Sequence, residues 1–192
     1  MWVRSAAIRP VPLHAQLPAE ALADVEDYLG GDERATEDRL NETFEAFEQR
    51  QPVLSEYLGE ILARRDDDIA VALGYFLGLA IWRAFDSEHG SKLATLDTTA
   101  IESVDEALTL DEELRGADPE EAVESDDVVA MEQPHALAFI HEHVDAALEV
   151  HAEVDVDDVH AVYRALLVVV LALSYAVAPP ADQVGQTSEM YA

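Results

Sequence analysis

Two stretches of the chain carry no charge at all, Ile69–Trp82 and Ala165–Ala178, each 14 residues long. They sit in a sequence with 41 Asp and Glu against 11 Lys and Arg, a formal charge of -30 at pH 7. A helix that is apolar nearly all round has to be enclosed by other elements. Both stretches are therefore expected at the centre of the fold, with amphipathic helices packed about them. Neither reaches the ~20 apolar residues needed to cross a bilayer, which favours buried core helices over a membrane hairpin.

The flanking sequence supplies the amphipathic helices. Leu22, Val25 and Leu29 recur at helical spacing between Pro18 and a Gly30-Gly31 stop. A second helix reads from about Asp32 to Arg50 on a Leu40, Phe44, Phe47 stripe. It ends at Gln51-Pro52, because a residue before proline is pushed out of the helical region. Pro52 can open the third helix, with Leu54, Tyr57, Leu58, Ile61 and Leu62 on one side. Asp66-Asp67-Asp68 offers a cap for the apolar helix Ile69–Phe85. After a polar loop from Asp86 to Asp97, Thr99 and Glu102 suggest a capping box for a helix bearing Ile101, Val104 and Leu108. Asp118-Pro119-Glu120-Glu121 opens a short helix through Val129 that stops at Gln133-Pro134. The next carries Leu137, Ile140, Val144 and Leu148, and Asp157-Asp158 precedes the last, Val159–Ala178, which Pro179-Pro180 ends. No segment alternates with the period of a strand, so the expected class is all-α with about eight helices.

The pattern repeats. Leu17, Ala21, Val25 and Leu29 match Leu96, Ala100, Val104 and Leu108 at an offset of 79. Gln51-Pro52, Tyr57, Leu58 and Glu60 match Gln133-Pro134, Phe139, Ile140 and Glu142 at an offset of 82. Asp67-Asp68-Ile69, Leu77, Ile81 and Phe85 match Asp157-Asp158-Val159, Leu167, Leu171 and Tyr175 at an offset of 90. The offset grows only at predicted loops, which predicts two tandem four-helix units, 17–86 and 96–178, fused into one compact bundle. An arm, 1–16, precedes them, a linker, 87–95, joins them, and a loose tail, 179–192, follows.

Composition narrows the function classes. The cations are ten Arg and a single lysine, Lys92, while carboxylates occur in every polar segment. Such a surface repels itself in dilute buffer and is tolerable where salt screens it over a few ångströms. In composition it resembles the proteins of salt-accumulating halophiles, which implies a salt-adapted cytoplasm. Without cysteine there are no disulfides, thiolate metal sites or cysteine nucleophiles. Met1-Trp2-Val3-Arg4 lacks the apolar run of a signal peptide, so a cytoplasmic location is expected. No window concentrates Arg, which argues against nucleic acid as a partner.

Candidate chemistry is sparse. Five of the seven histidines fall between His135 and His160: these two with His141, His143 and His151. His141 and Asp145 stand four apart with Glu142 between them, a spacing that could hold a divalent metal, and Glu132 with His135 has a Glu-x-x-His spacing. A carboxylate-bridged site needs two such motifs, and Val53 stands where His135 would recur, so no metal or other cofactor is expected. His143 aligns with Ile61 on an apolar stripe and should be half-buried, bonded to a facing carboxylate or backbone, or lying between the units. Arg83 and Arg164, beside Trp82 and Tyr163, are the only charges inside the apolar helices. Each requires a carboxylate partner, an escape to the surface, or an anionic ligand, and Glu60 and Glu142 are natural partners for them. Phosphate loops, nucleophile elbows and His-Glu-x-x-His are absent. The expected function is a non-enzymatic interaction module, adaptor or chaperone-like, binding a partner protein or its own copy through exposed apolar helix faces. The alternative is a helical enzyme binding a metal or small anion with the His135–His160 cluster and Arg83 or Arg164.

Overall fold

The computed structural model describes residues 7–30, 33–117, 124–151 and 153–180. Among them the chain forms eight α-helices: α1 (Ala19–Leu29), α2 (Glu33–Arg50), α3 (Pro52–Leu62), α4 (Asp68–His89), α5 (Thr98–Gly116), α6 (Ser125–Glu132), α7 (Pro134–Val150) and α8 (Val156–Ala176). An isolated bridge between Leu93 and Val177 is the one β-type pairing among the described residues. The fold is all-α. The start of the short helix expected at Asp118 and the tail from Ala181 lie outside the described residues.

The two apolar helices, α4 and α8, pack on each other at the centre. α1 and α2 cover α4, α5 and α6 lie on α8, and α3 and α7 cross over, α3 touching α8 and α7 touching α4. Close approach is built into α4. A Cβ on Gly74 would meet Leu62 of α3 at 2.6 Å and Val162 of α8 at 2.7 Å, and one on Gly78 would run into Leu58. Both core helices outrun their uncharged stretches, reaching 22 and 21 residues. By length and hydropathy they could therefore span a bilayer, a longer reach than the uncharged stretches alone give. Here they wrap each other, with 56% of the apolar window of α4 and 67% of that of α8 buried.

Carboxylates stitch the two core helices together at their N-termini. Asp67 accepts the N–H groups of Ile69 and Ala70, and Asp155 does the same for Asp157 and Asp158 at α8. The Asp155 N–H also donates to Asp67 (2.9 Å), while Asp158 accepts the N–H groups of Asp66 and Asp67 and the Arg65 guanidinium. The cap of α8 is thus Asp155 in place of the expected Asp157-Asp158, and the helix begins at Val156, three residues before the expected start at Val159. That of α5 is Asp97, which accepts the Ala100 N–H, in place of the expected Thr99.

Two glutamines, each at the start of a Pro-led helix, make matching bonds. Buried Gln51 accepts the Leu96 N–H (2.9 Å) and donates to the Ala94 carbonyl (2.9 Å). Buried Gln133 accepts the Leu17 N–H (3.0 Å) and donates to the Ala15 carbonyl (2.8 Å). Each extended segment leading into α1 or α5 is thereby pinned by the other half of the chain. The leading segment 7–17 forms a strap across α5, α6 and α8. Val11 N–H donates to Glu132, the Gln16 side chain donates to the Glu132 carbonyl, and Arg9 lies 4.3 Å above the Tyr175 ring, whose hydroxyl donates to the Arg9 carbonyl.

Candidate functional site

A cavity of about 600 Å³ opens between the C-terminal end of α5, the start of α6 and the first half of α8. That volume suits a small ligand or one to two large side chains. Leu167, Ala161 and Gly116 give it apolar wall, and Arg164, Arg115 and Tyr163 give it polar wall, with Glu112, Glu124 and Asp126 at the rim.

Both guanidiniums are already answered by carboxylates. Arg164 donates to Asp105 (2.6 Å), to Glu112 (3.1 and 3.2 Å) and to the Thr109 hydroxyl (2.7 Å), all on α5. Burial works against its charge, but Asp105 and Glu112 more than offset that and hold it protonated beyond the ordinary arginine range. Arg115 binds Asp111 (2.5 Å). Asp111 is buried and also accepts Ser125 Oγ (2.8 Å) and the Ala7 N–H (3.1 Å). Burial alone would raise its pKa, yet these donors keep the carboxyl below its usual range.

Beside the cavity, Tyr163 donates to Asp126 (3.3 Å), and His141 Nε2 lies 2.7 Å from the Tyr163 hydroxyl with the two rings stacked at 5.5 Å. Burial, then Asp126 and its acidic neighbours, push the Tyr163 pKa up, so the phenol stays a proton donor. Tyr57, half-buried on α3, is pushed up to about 12 by burial and Asp105.

The remaining candidates scatter. His160 lines the cavity with Arg164, whereas His135 is exposed at the start of α7 and His151 is exposed beyond its end. Asp145 and Glu142 are exposed on α7, and among the described residues no group of three or more His, Asp or Glu side chains could hold a metal ion. His143 is half-buried where α7 meets α4 and α1. It donates Nδ1–H to the Phe139 carbonyl (2.9 Å), its ring lies 4.3 Å from Phe139 and 5.3 Å from Phe76, and Nε2 lies 3.9 Å from Glu26. Arg83 lies 5.0 Å above the Tyr28 ring, a cation–π contact on the α1 side of the molecule, far from Arg164 in register and partner. Glu60 is exposed and pairs with Arg64 one turn on, so neither arginine of the apolar helices uses the glutamates at matched positions.

Sequence reasoning passed over Asp111. It continues the apolar stripe of Val104 and Leu108, and a carboxylate in line with a buried stripe is itself the signal of a structured polar centre. Compared with known proteins, the chain matches no family model, no curated protein and no solved structure.

Proposed function

We propose that this chain is a non-enzymatic interaction module, adaptor or chaperone-like, of a salt-adapted cytoplasm, built as a tandem pair of four-helix units. The reciprocal bonds of Gln51 and Gln133 support the tandem arrangement, since equivalent residues of the two halves make equivalent bonds. The observation that carries the function is the cavity of about 600 Å³ between α5, α6 and α8. It joins apolar wall to the carboxylates of Glu124 and Asp126, which accept bonds from the α6 backbone and from Tyr163, while Arg115 and Arg164 are paired with Asp111, Asp105 and Glu112. Such a groove suits an apolar segment of a partner protein that carries a cation, and suits an anion poorly. Leu110 and Leu114, one turn apart on α5 and 49% and 52% exposed, add apolar contact area on that helix.

The alternative, a small-ligand enzyme, draws support from His160 and Arg164 sharing the cavity. It is weakened because the donors of Arg164 already meet Asp105, Glu112 and Thr109.

Site-specific photocrosslinking tests the docking reading. A photoreactive residue at cavity-lining Ala161 should give one discrete adduct in salt-adapted cells, and the same group at Ala23, exposed on α1, should not. An adduct of twice the chain mass would make the partner a second copy. No adduct from position 161, or identical adducts from both positions, overturns the reading.

A further inference from the structure

At the other end of the contact between α5 and α8, one arginine stands apart. Arg50, Arg64, Arg65, Arg115 and Arg164 each hold a carboxylate. Arg9, in a chain with 41 Asp and Glu, holds none among the described residues. Its guanidinium stacks 4.3 Å above the Tyr175 ring, and the Tyr175 hydroxyl donates to the Arg9 carbonyl. Burial pushes the Tyr175 pKa up to about 12, so the phenol stays a donor at neutral pH. Stacking uses the face of the guanidinium. Its N–H donors lie in the plane of the group and stay available along the edge.

Beside Arg9 lies a cavity of about 260 Å³, walled by the segment 94–97, the first turns of α5 and the last turns of α8, all of them described residues. Ala100, Val104, Ala172 and Ala176 give it apolar wall, and Ser103 adds a hydroxyl that has no partner among the described residues. The volume is just below the ~300 Å³ at which small-molecule cavities begin, which fits a short carbon chain. Asp97, in the lining, accepts the Ala100 N–H, and Glu132 accepts the Val11 N–H, so both carboxylates have donors of their own.

We propose that Arg9 and Ser103 bind the carboxylate of a small aliphatic monocarboxylic acid, with its hydrocarbon tail in the cavity between α5 and the end of α8. A guanidinium edge and a hydroxyl suit the two oxygens of a carboxylate. One unpaired cation matches one negative charge, and Asp97 in the lining makes a dianion such as a phosphate monoester a poor fit. The alanine and valine wall takes the methylene groups out of water. Because Arg9 belongs to the strap and Ser103 to α5, the bound acid ties the strap to that helix. The site shares no lining residue with the docking cavity, so the two readings stand or fall separately.

Hexanoate titrated calorimetrically into the full chain in molar KCl should saturate a single site per chain. Hexanamide keeps the tail and lacks the charge, acetate keeps the charge and lacks the tail, and each should bind about tenfold or more weakly. Arg9→Gln should bind hexanoate no better than hexanamide, with its far-UV spectrum and melting temperature near those of the native chain. Ala100→Leu, which fills the cavity from α5 without touching the strap, should bind neither. Hexanoate should also slow amide exchange in the strap. Absence of saturable hexanoate binding, equal affinity of the native chain for hexanoate and hexanamide, or full hexanoate affinity in Arg9→Gln overturns the proposal. So does saturable binding that leaves exchange in the strap unchanged.

Discussion

The two sides of the central helix pair are finished differently. On α4, the 18-residue α2 lays aromatic rings into the groove: Phe44 meets Tyr75 at 5.6 Å and Phe47 meets Trp82 at 5.2 Å. On α8, α6 is 8 residues long and delivers Ser125 and Asp126, and among the described residues a cavity lies between it, α5 and α8. One side is closed by dispersion and shape, the other is held by carboxylate-centred hydrogen bonds around Asp111 and Arg164. A closed side contributes stability, and an open side with satisfied polar walls can receive something without leaving groups unpaired when empty.

Salt should separate the two sides most strongly. Dilution from molar KCl to about 0.1 M lengthens the Debye length to ~10 Å and should lower stability by several kcal/mol, with amide exchange accelerating in α6 and the end of α5 before α2. Simultaneous opening of both sides, or a melting temperature indifferent to KCl, would erase the distinction.

Phe47→Ala, at a side chain 1% exposed, should cost ~3–5 kcal/mol in urea titrations at high KCl. Ala161→Ser, on the cavity wall, should cost under about 0.5 kcal/mol. Next come the glutamines. Gln133→Ala strands the Leu17 N–H and the Ala15 carbonyl and also removes a bond to Ser174, so it should cost ~2–4 kcal/mol. Gln51→Ala should cost somewhat less, because Ala94 is exposed and its carbonyl can turn to water. Equal losses would mean that the two sides are equally dependent on their clamps.

The smallest effect is on pH. Asp111 has a folded pKa below its ordinary 3.8, so its contribution is complete above that value and is lost as pH falls through the folded one. The stability difference between the native chain and Asp111→Asn should therefore be constant from neutral pH to about 4 and shrink below it. Comparison with the variant matters, because acid also relieves the mutual repulsion of a chain with charge -30 and acts in the opposite sense. A difference that stays constant into strong acid would remove Asp111 from the polar centre.

What could be read from the sequence was local. The stripes of α1, α3, α7 and the uncharged runs of α4 and α8 announce themselves because each residue's burial follows from neighbours three and four away. The Gln-Pro dipeptides marked helix boundaries correctly, yet their side chains gave no hint that they clamp segments from the other half, because that partner is chosen by the fold. The same holds for Asp155 and Asp158 reaching Asp66 and Asp67, and for Arg164, whose partners on α5 were hidden among many carboxylates. The cavity had no motif to betray it, since its walls come from three helices far apart in the sequence.

The clamp at Gln133 also sets an order of events at the ribosome. Leu17 and Gln133 are 116 positions apart, so at roughly 5–20 residues per second the strap waits about 6–23 s after its own synthesis before its anchor has been made. Throughout that interval Ile8, Val11 and Leu17 have no surface of the second half to lie on, and the apolar face of α4 waits for α8. The nascent first half must stay dispersed while unfinished, and the carboxylates between its stripes keep neighbouring chains apart during that time.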